Sequence, residues 1–117
     1  FFIVKENQVL LSISAQDLSF IVEEHFSHIF LLFFRFGVRV NLMQNSAVSF
    51  SVCVDNDAQK FPVLIDALKK EYQVLYNDNL TLYTIRHYND DSIAKVLKGK
   101  SLLLEQKSRH TVQLVVQ

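Results

Sequence analysis

The stretch Gly37–Asp55, GVRVNLMQNSAVSFSVCVD, reads as two strands joined by a short polar turn. In its first half Val38, Val40 and Leu42 fall on one face and Arg39, Asn41 and Met43 on the other. In its second half Val48, Phe50, Val52 and Val54 point inward, with Ser49, Ser51, Cys53 and Asp55 outward. Alternation with period two and β-branched residues marks a half-buried antiparallel pair. The joining residues Gln44, Asn45, Ser46 and Ala47 are small or amide-bearing, and offer hydrogen-bond donors and acceptors to a ligand.

The stretch recurs. A shift of 62 positions carries Gln44, Ser46, Ser49, Phe50, Val52 and Val54 onto Gln106, Ser108, Thr111, Val112, Leu114 and Val116. A repeated strand–turn–strand unit implies two related modules.

The chain has 117 residues, enough for one ordinary domain or two small ones sharing a core. Hydrophobic residues make up 50% and charged residues 21%, so a packed globular chain is expected. Twelve basic and twelve acidic residues cancel, which removes the electrostatic footprint of a nucleic-acid binder. The one cysteine, Cys53, excludes an internal disulfide and fits a reducing compartment, so a cytoplasmic location is expected. The apolar run Ile29–Phe36 is broken by Arg35 and is too short to span a bilayer; no membrane partner is expected. No signal peptide is evident. The first residue is Phe1 and strands are expected close to both ends, so the chain is expected to be a fragment of a longer parent.

Taken in order, Phe1–Glu6 reads as a strand, broken by Asn7-Gln8, and Val9–Ser14 as a second. Asp17 is placed to cap a helix from Leu18 to about Phe36, which Gly37 ends. Leu18, Ile21, Val22, Phe26, Ile29, Phe30 and Phe33 form its apolar stripe. Leu31, Leu32 and Phe34 add apolar surface beyond that stripe and point to a second protein surface, a dimer contact. After the hairpin, Asn56-Asp57 can cap a second helix, with Pro62 in its first turn and Phe61, Leu64, Ile65, Leu68 and Tyr72 inward. Gln73–Tyr76 is a strand and Asn77-Asp78-Asn79 a turn.

This order is the split βαβ, ferredoxin-like βαββαβ arrangement: an α+β fold with antiparallel strands and both helices on one face. It then restarts with a strand over Leu80–His87, a short helix from Asp91-Ser92 to Leu97 ended by Gly99, and strands over Ser101–Glu105 and Thr111–Val116. The expected domains are 7–79, complete, and 80–117, shortened by about ten residues in its helix and lacking a second helix. The strand of residues 1–6 is available to fill the vacant edge of the second sheet.

The run FGVRVNLMQNSAVSFSVCVD, with the helix holding Ile29 and Phe30 before it, resembles the first ACT domain of aspartate kinases. Leu80–Gln117 resembles a shortened second ACT domain, with the same Gln and Ser at Gln106 and Ser108. The resemblance implies a parent that phosphorylates the side-chain carboxylate of aspartate with ATP. This chain would be its regulatory part, not itself an enzyme. No cofactor is then expected here, ATP and Mg belonging to a kinase lobe whose Lys-Phe-Gly-Gly-type segment is absent. The implied partners are that kinase domain, a second copy of the chain, and an end-product amino acid, threonine or lysine. The implied effector positions are Ser14, Ala15, Gln16 and Asp17 on the strand–helix loop, and Asn41, Met43, Asn45, Ser46 and Ala47 on the hairpin. Lysine-sensitive members often carry Asp where this chain has Asn41 and Glu where it has Ala47. A lysine side-chain ammonium calls for a carboxylate, so a neutral amino acid such as threonine fits better. The alternative is a ligand-free dimerisation module of the same fold.

Other chemistry is weaker. His25 and His28 are three apart on one helix without a third ligand nearby, and His87 and His110 lie on second-module strands; both pairs read as structural, and no metal site is expected. Cys53 reads as a packed core thiol. No glycine-rich phosphate loop exists, since Gly37 and Gly99 are the only glycines. RNA-recognition domains share the strand order, but Phe50 has only aliphatic in-phase neighbours.

Overall fold

The computed structural model describes residues 2–117; Phe1, the first residue of the expected opening strand, lies outside the described residues. The elements are β1 (Phe2–Ala15), α1 (Glu23–Arg35), β2 (Val40–Asn45), β3 (Ser49–Asp55), α2 (Lys60–Lys69), β4 (Tyr72–Arg86), α3 (Asp90–Leu97), β5 (Leu102–Lys107) and β6 (Thr111–Val116). The chain divides into two compact units, Val9–Asn77, and Asp78–Gln117 with the chain up to Gln8. The fold is α+β.

In the Val9–Asn77 unit the strand order is β2-β3-β1-β4, each of the two long strands contributing the part that falls in this unit. Val9, Leu11 and Ile13 of β1 and Phe50, Val52 and Val54 of β3 pack on Ile29, Leu32 and Phe33 of α1 and Phe61, Leu64, Ile65 and Leu68 of α2. Each fully buried side chain of this size contributes about 1.5–3 kcal/mol. In the other unit the order is β1-β4-β6-β5, and α3 packs Val96 on Ile85, Val112, Leu114 and Val116.

The strands differ from expectation at two asparagines. Asn7 and Asn77-Asp78-Asn79 read as breaks, yet β1 and β4 run through them as strands of 14 and 15 residues. The polar residues do mark a local departure, because Asn7 and Asn79 have φ of 54° and 56°. Asparagine tolerates a single left-handed residue, and one such residue kinks a strand without ending its pairing.

Helix α1 starts at Glu23, not Leu18. Asp17 caps no helix: its Oδ1 accepts the Ser19 N–H at 3.0 Å, closing a local turn. Leu18 sits at φ 60°, with its N–H on the Ala15 carbonyl, so the helical path is interrupted there. The helix begins instead where His25 Nδ1 accepts the Val22 N–H at 2.9 Å. Its end matches the glycine: Gly37 has φ 70°, and Val38 N–H reaches back to the Phe33 carbonyl at 2.9 Å, a left-handed C-terminal closure. Leu32, expected on the outer surface, is in the core at 6% exposure; Phe34 is 84% exposed.

The two hairpins agree residue for residue. β2 pairs with β3 as Val40↔Val54, Leu42↔Cys53, Met43↔Val52, Gln44↔Ser51 and Asn45↔Phe50. β5 pairs with β6 as Leu102↔Val116, Leu104↔Val115, Glu105↔Leu114, Gln106↔Gln113 and Lys107↔Val112, the same pattern moved by 62 positions. The bulge is repeated too: Asn41 and Leu103 are each the extra residue. Gly37 and Gly99, also 62 apart, have φ of 70° and 73°. The bulge corrects the expected face pattern. Beyond Asn41 the parity reverses, so Leu42 lies opposite Cys53, and both are buried. Val48, expected inward, is exposed.

Candidate functional site

The residues after β1 form a loop, 16–22, that is held against the β2–β3 turn. Ile21 is buried in the core and donates its N–H to the Ala47 carbonyl at 3.0 Å. Ala15 is buried and Ser14 half-buried at the end of β1. Gln16 and Asp17 are exposed; Gln16 Nε2 reaches the Lys70 carbonyl at 3.4 Å. The Ser19 hydroxyl and N–H, donating to Asp17, hold its carboxyl below the ordinary aspartate range.

The turn is closed by Ser46, whose N–H donates to the Ser49 carbonyl at 2.9 Å. The Ser46 and Ser49 hydroxyl oxygens are 3.1 Å apart, and Ser46 Oγ accepts the Ser49 N–H at 3.3 Å. Beside it Gln44, Asn45, Ser46, Ser49 and Ser51 line an open groove of about 330 Å³. That is at the lower end of the range of small-molecule sites, roughly 300–1,000 Å³. Every lining side chain is uncharged and can both donate and accept.

Thus Asn45 and Ser46 share the groove, and Ala47 joins it to the loop through Ile21. Asn41 lies at the other end of the hairpin. There it is half-buried at the bulge, and its Nδ2 donates to Asp55 Oδ1 at 2.9 Å. Met43 is exposed opposite Val52. Gln44, expected among the ligand-facing residues of the polar turn, lines the groove, and so do Ser49 and Ser51, which were not expected there; their outward phase in the alternating strand is the signal for them. In the other unit Gln106 faces Gln113, and Ser108 N–H donates to the Thr111 carbonyl at 2.8 Å.

Other polar groups have local partners. Near the Asn41 end, Gly37, Val38, Arg39, Asp55, Asp57 and Lys60 line a hollow of about 220 Å³. Its Asp57 accepts the N–H groups of Lys60 and Gln59 at the start of α2, which holds that carboxyl low. His28 Nδ1 lies 2.9 Å from the Tyr72 hydroxyl and 3.0 Å from a Glu71 carboxylate oxygen. Burial, and then the Glu71 charge, push the Tyr72 hydroxyl up. The rings of His87 and His110 are 5.8 Å apart. Among the described residues no three His, Cys, Asp or Glu side chains gather as a metal cluster, and no helix is long and apolar enough to cross a membrane.

No family model matches the chain, and no curated protein does. Solved structures do. An aspartate kinase from Clostridium acetobutylicum matches with a TM-score of 0.79 and 16% identity, over 99% of this chain and 30% of that one. A protein described as a C-terminal regulatory domain of aspartate kinase, from Porphyromonas gingivalis, matches with a TM-score of 0.77 and 19% identity, over 98% of this chain and 84% of that one. The fold is that of an aspartate kinase regulatory region. Aspartokinase III of Escherichia coli, solved in complex with lysine and aspartate, matches with a TM-score of 0.75 and 16% identity, over 97% of this chain and 28% of that one. The chain therefore spans under a third of the length of the whole kinases that it matches.

Proposed function

We propose that this chain is the amino-acid-sensing regulatory region of an aspartate kinase, built as a complete ACT module and a shortened one. The observation that carries the reading is the uncharged groove beside Ser46, with the 16–22 loop tied to the same turn through Ile21 and Ala47. An aspartate kinase regulatory fold over nearly the whole chain supports it. The effector positions are Ser14, Ala15, Gln16 and Asp17 on one side and Asn45, Ser46 and Ala47 on the other, with Asn41 and Met43 further along β2. The effector is a neutral amino acid, threonine before lysine, because Asn41 and Ala47 offer no carboxylate to a second ammonium. It acts by population shift, favouring one packing of paired chains by its differential affinity, and so changes the activity of a cytoplasmic parent kinase.

The test is a thermal-shift scan with threonine, lysine, methionine, isoleucine and glycine at millimolar concentration. A ligand at about a hundred times its dissociation constant adds roughly 2.7 kcal/mol. At this size that raises Tm by on the order of ten degrees. A selective rise with threonine supports the reading, and a selective rise with lysine overturns the effector assignment. No rise with any of them supports a second reading, a ligand-free dimerisation module, which the exposed Phe34 also favours.

A further inference from the structure

The two hairpin turns are closed alike but are contacted differently by the connection that precedes each helix. Ser46 and Ser108 each donate their N–H to the residue three ahead, at 2.9 Å and 2.8 Å. Their hydroxyls lie 3.4 Å and 3.3 Å from that same carbonyl. A left-handed residue follows each of the preceding strands, Leu18 at φ 60° three residues after β1 and His87 at φ 56° directly after β4. The connections then diverge: residues 16–22 lead to α1, but only residues 87–89 lead to α3.

The short connection places Tyr88 on the turn. Its hydroxyl donates to the Ser108 carbonyl at 3.1 Å, its ring packs on the core of its own unit, and Lys107 Nζ lies 5.7 Å from the ring centre. The Ser46 carbonyl, which stands in the same position of the first hairpin, receives no donor from any described residue. Instead the groove of Gln44, Asn45, Ser46, Ser49 and Ser51 lies open beside it.

We propose that Tyr88 is an internal stand-in for a ligand. The 78–117 unit is a closed copy of the candidate site, and the Ser46 carbonyl is the acceptor that the effector's donor group engages. This rests on the amino-acid reading above and deepens it. The donor is the ammonium or the side-chain hydroxyl of a small neutral amino acid, because no charged side chain lines the groove to receive a second charge. Each chain then carries one effector position, not two.

The experiment is amide NMR of the ¹⁵N-labelled chain and its Tyr88→Phe variant, with threonine and lysine as probes. Threonine is expected to move the Ala47 amide, which shares a peptide group with the Ser46 carbonyl, and to leave the Arg109 amide in place. Without any amino acid, Tyr88→Phe is expected to lower hydrogen-exchange protection of the Ser108 amide about fivefold, one ordinary hydrogen bond, and to leave that of Ser46 unchanged. Unchanged Ser108 protection overturns the closure by Tyr88 even if threonine binds. Movement of Arg109 in place of Ala47 overturns the assignment of the single position, and a larger response to lysine overturns the neutral class. If neither probe moves Ala47 while Ser108 loses protection, the amino-acid reading falls and the closed second turn stands.

Discussion

Ile21 donates its backbone N–H to the Ala47 carbonyl across 3.0 Å, which joins the loop after β1 to the β2–β3 turn. The bond holds because the Ile21 side chain is anchored in the core. Anchor and turn therefore move together.

Truncating that anchor is expected to act on both. Ile21→Ala removes a buried side chain and should cost about 2–4 kcal/mol in urea denaturation. Its particular signature is faster hydrogen exchange of the residue 21 amide relative to the amides of β3. A loss of global stability with unchanged relative exchange would show that the loop is held by something else.

The repeated glycines give a paired prediction. Gly37 and Gly99 lie at φ 70° and 73°, and an added Cβ would meet nothing nearer than Lys60 Nζ at 3.5 Å at the first and nothing within 4 Å at the second. Steric clash is therefore absent, and only backbone strain remains. Gly37→Ala and Gly99→Ala should each lose about 1–2 kcal/mol by chemical denaturation, with similar values for the two. A much larger loss at one would show that its helix end is constrained beyond its backbone angle.

How far this was legible depends on the signal each segment carried. β6 was expected over Thr111–Val116 and is found there, because alternation, turn residues and the repeat all agreed on it. The inner face of α2 was expected at Phe61, Leu64, Ile65, Leu68 and Tyr72; the first four are buried on α2, whereas Tyr72, also buried, is the first residue of β4. The start of α1 was misread because Leu18, Ile21 and Val22 extend the helical spacing into the loop. What decides it is the bond from Ile21 to Ala47, a contact between residues far apart in sequence. The bulge at Asn41 has no punctuation in Val-Asn-Leu-Met, so the burial of Leu42 beside Cys53 could not be anticipated from spacing. For the candidate site, the polar turn at Asn45 and Ser46 was visible as composition. The separation of Asn41 from it, and the bond of Asn41 to Asp55, depend on that same bulge.

Acid should act through Asp57. Two N–H groups at the start of α2 stabilise its carboxylate and lower its affinity for protons in the folded state. Such a group contributes stability that is fully present above the ordinary aspartate range, about pH 4, and is lost as pH falls through the lowered folded value. Asp57→Asn should flatten the decline of unfolding free energy below about pH 4 while leaving its course at neutral pH parallel to the wild type. An unchanged acid limb would assign the decline to other carboxylates.

The exposed end of α1 is the last test. Phe34 is 84% exposed, and Phe30 and Leu31 beside it are also open to solvent. Leu32 contributes nothing to this surface, since it lies in the core. Large side chains so exposed are uncommon on a monomer and dominate interfaces where they are buried. If two copies pair through this helix end, Phe34→Ser should raise the dimer dissociation constant at least tenfold, about 1.4 kcal/mol, in light-scattering or sedimentation measurements. The same change should shift the stability of the isolated fold by no more than about 0.5 kcal/mol, because the wild-type ring makes little contact with its own chain. Equal dimerisation by wild type and variant would move the interface elsewhere, and a wild-type monomer at all concentrations would leave the helix end without this partner.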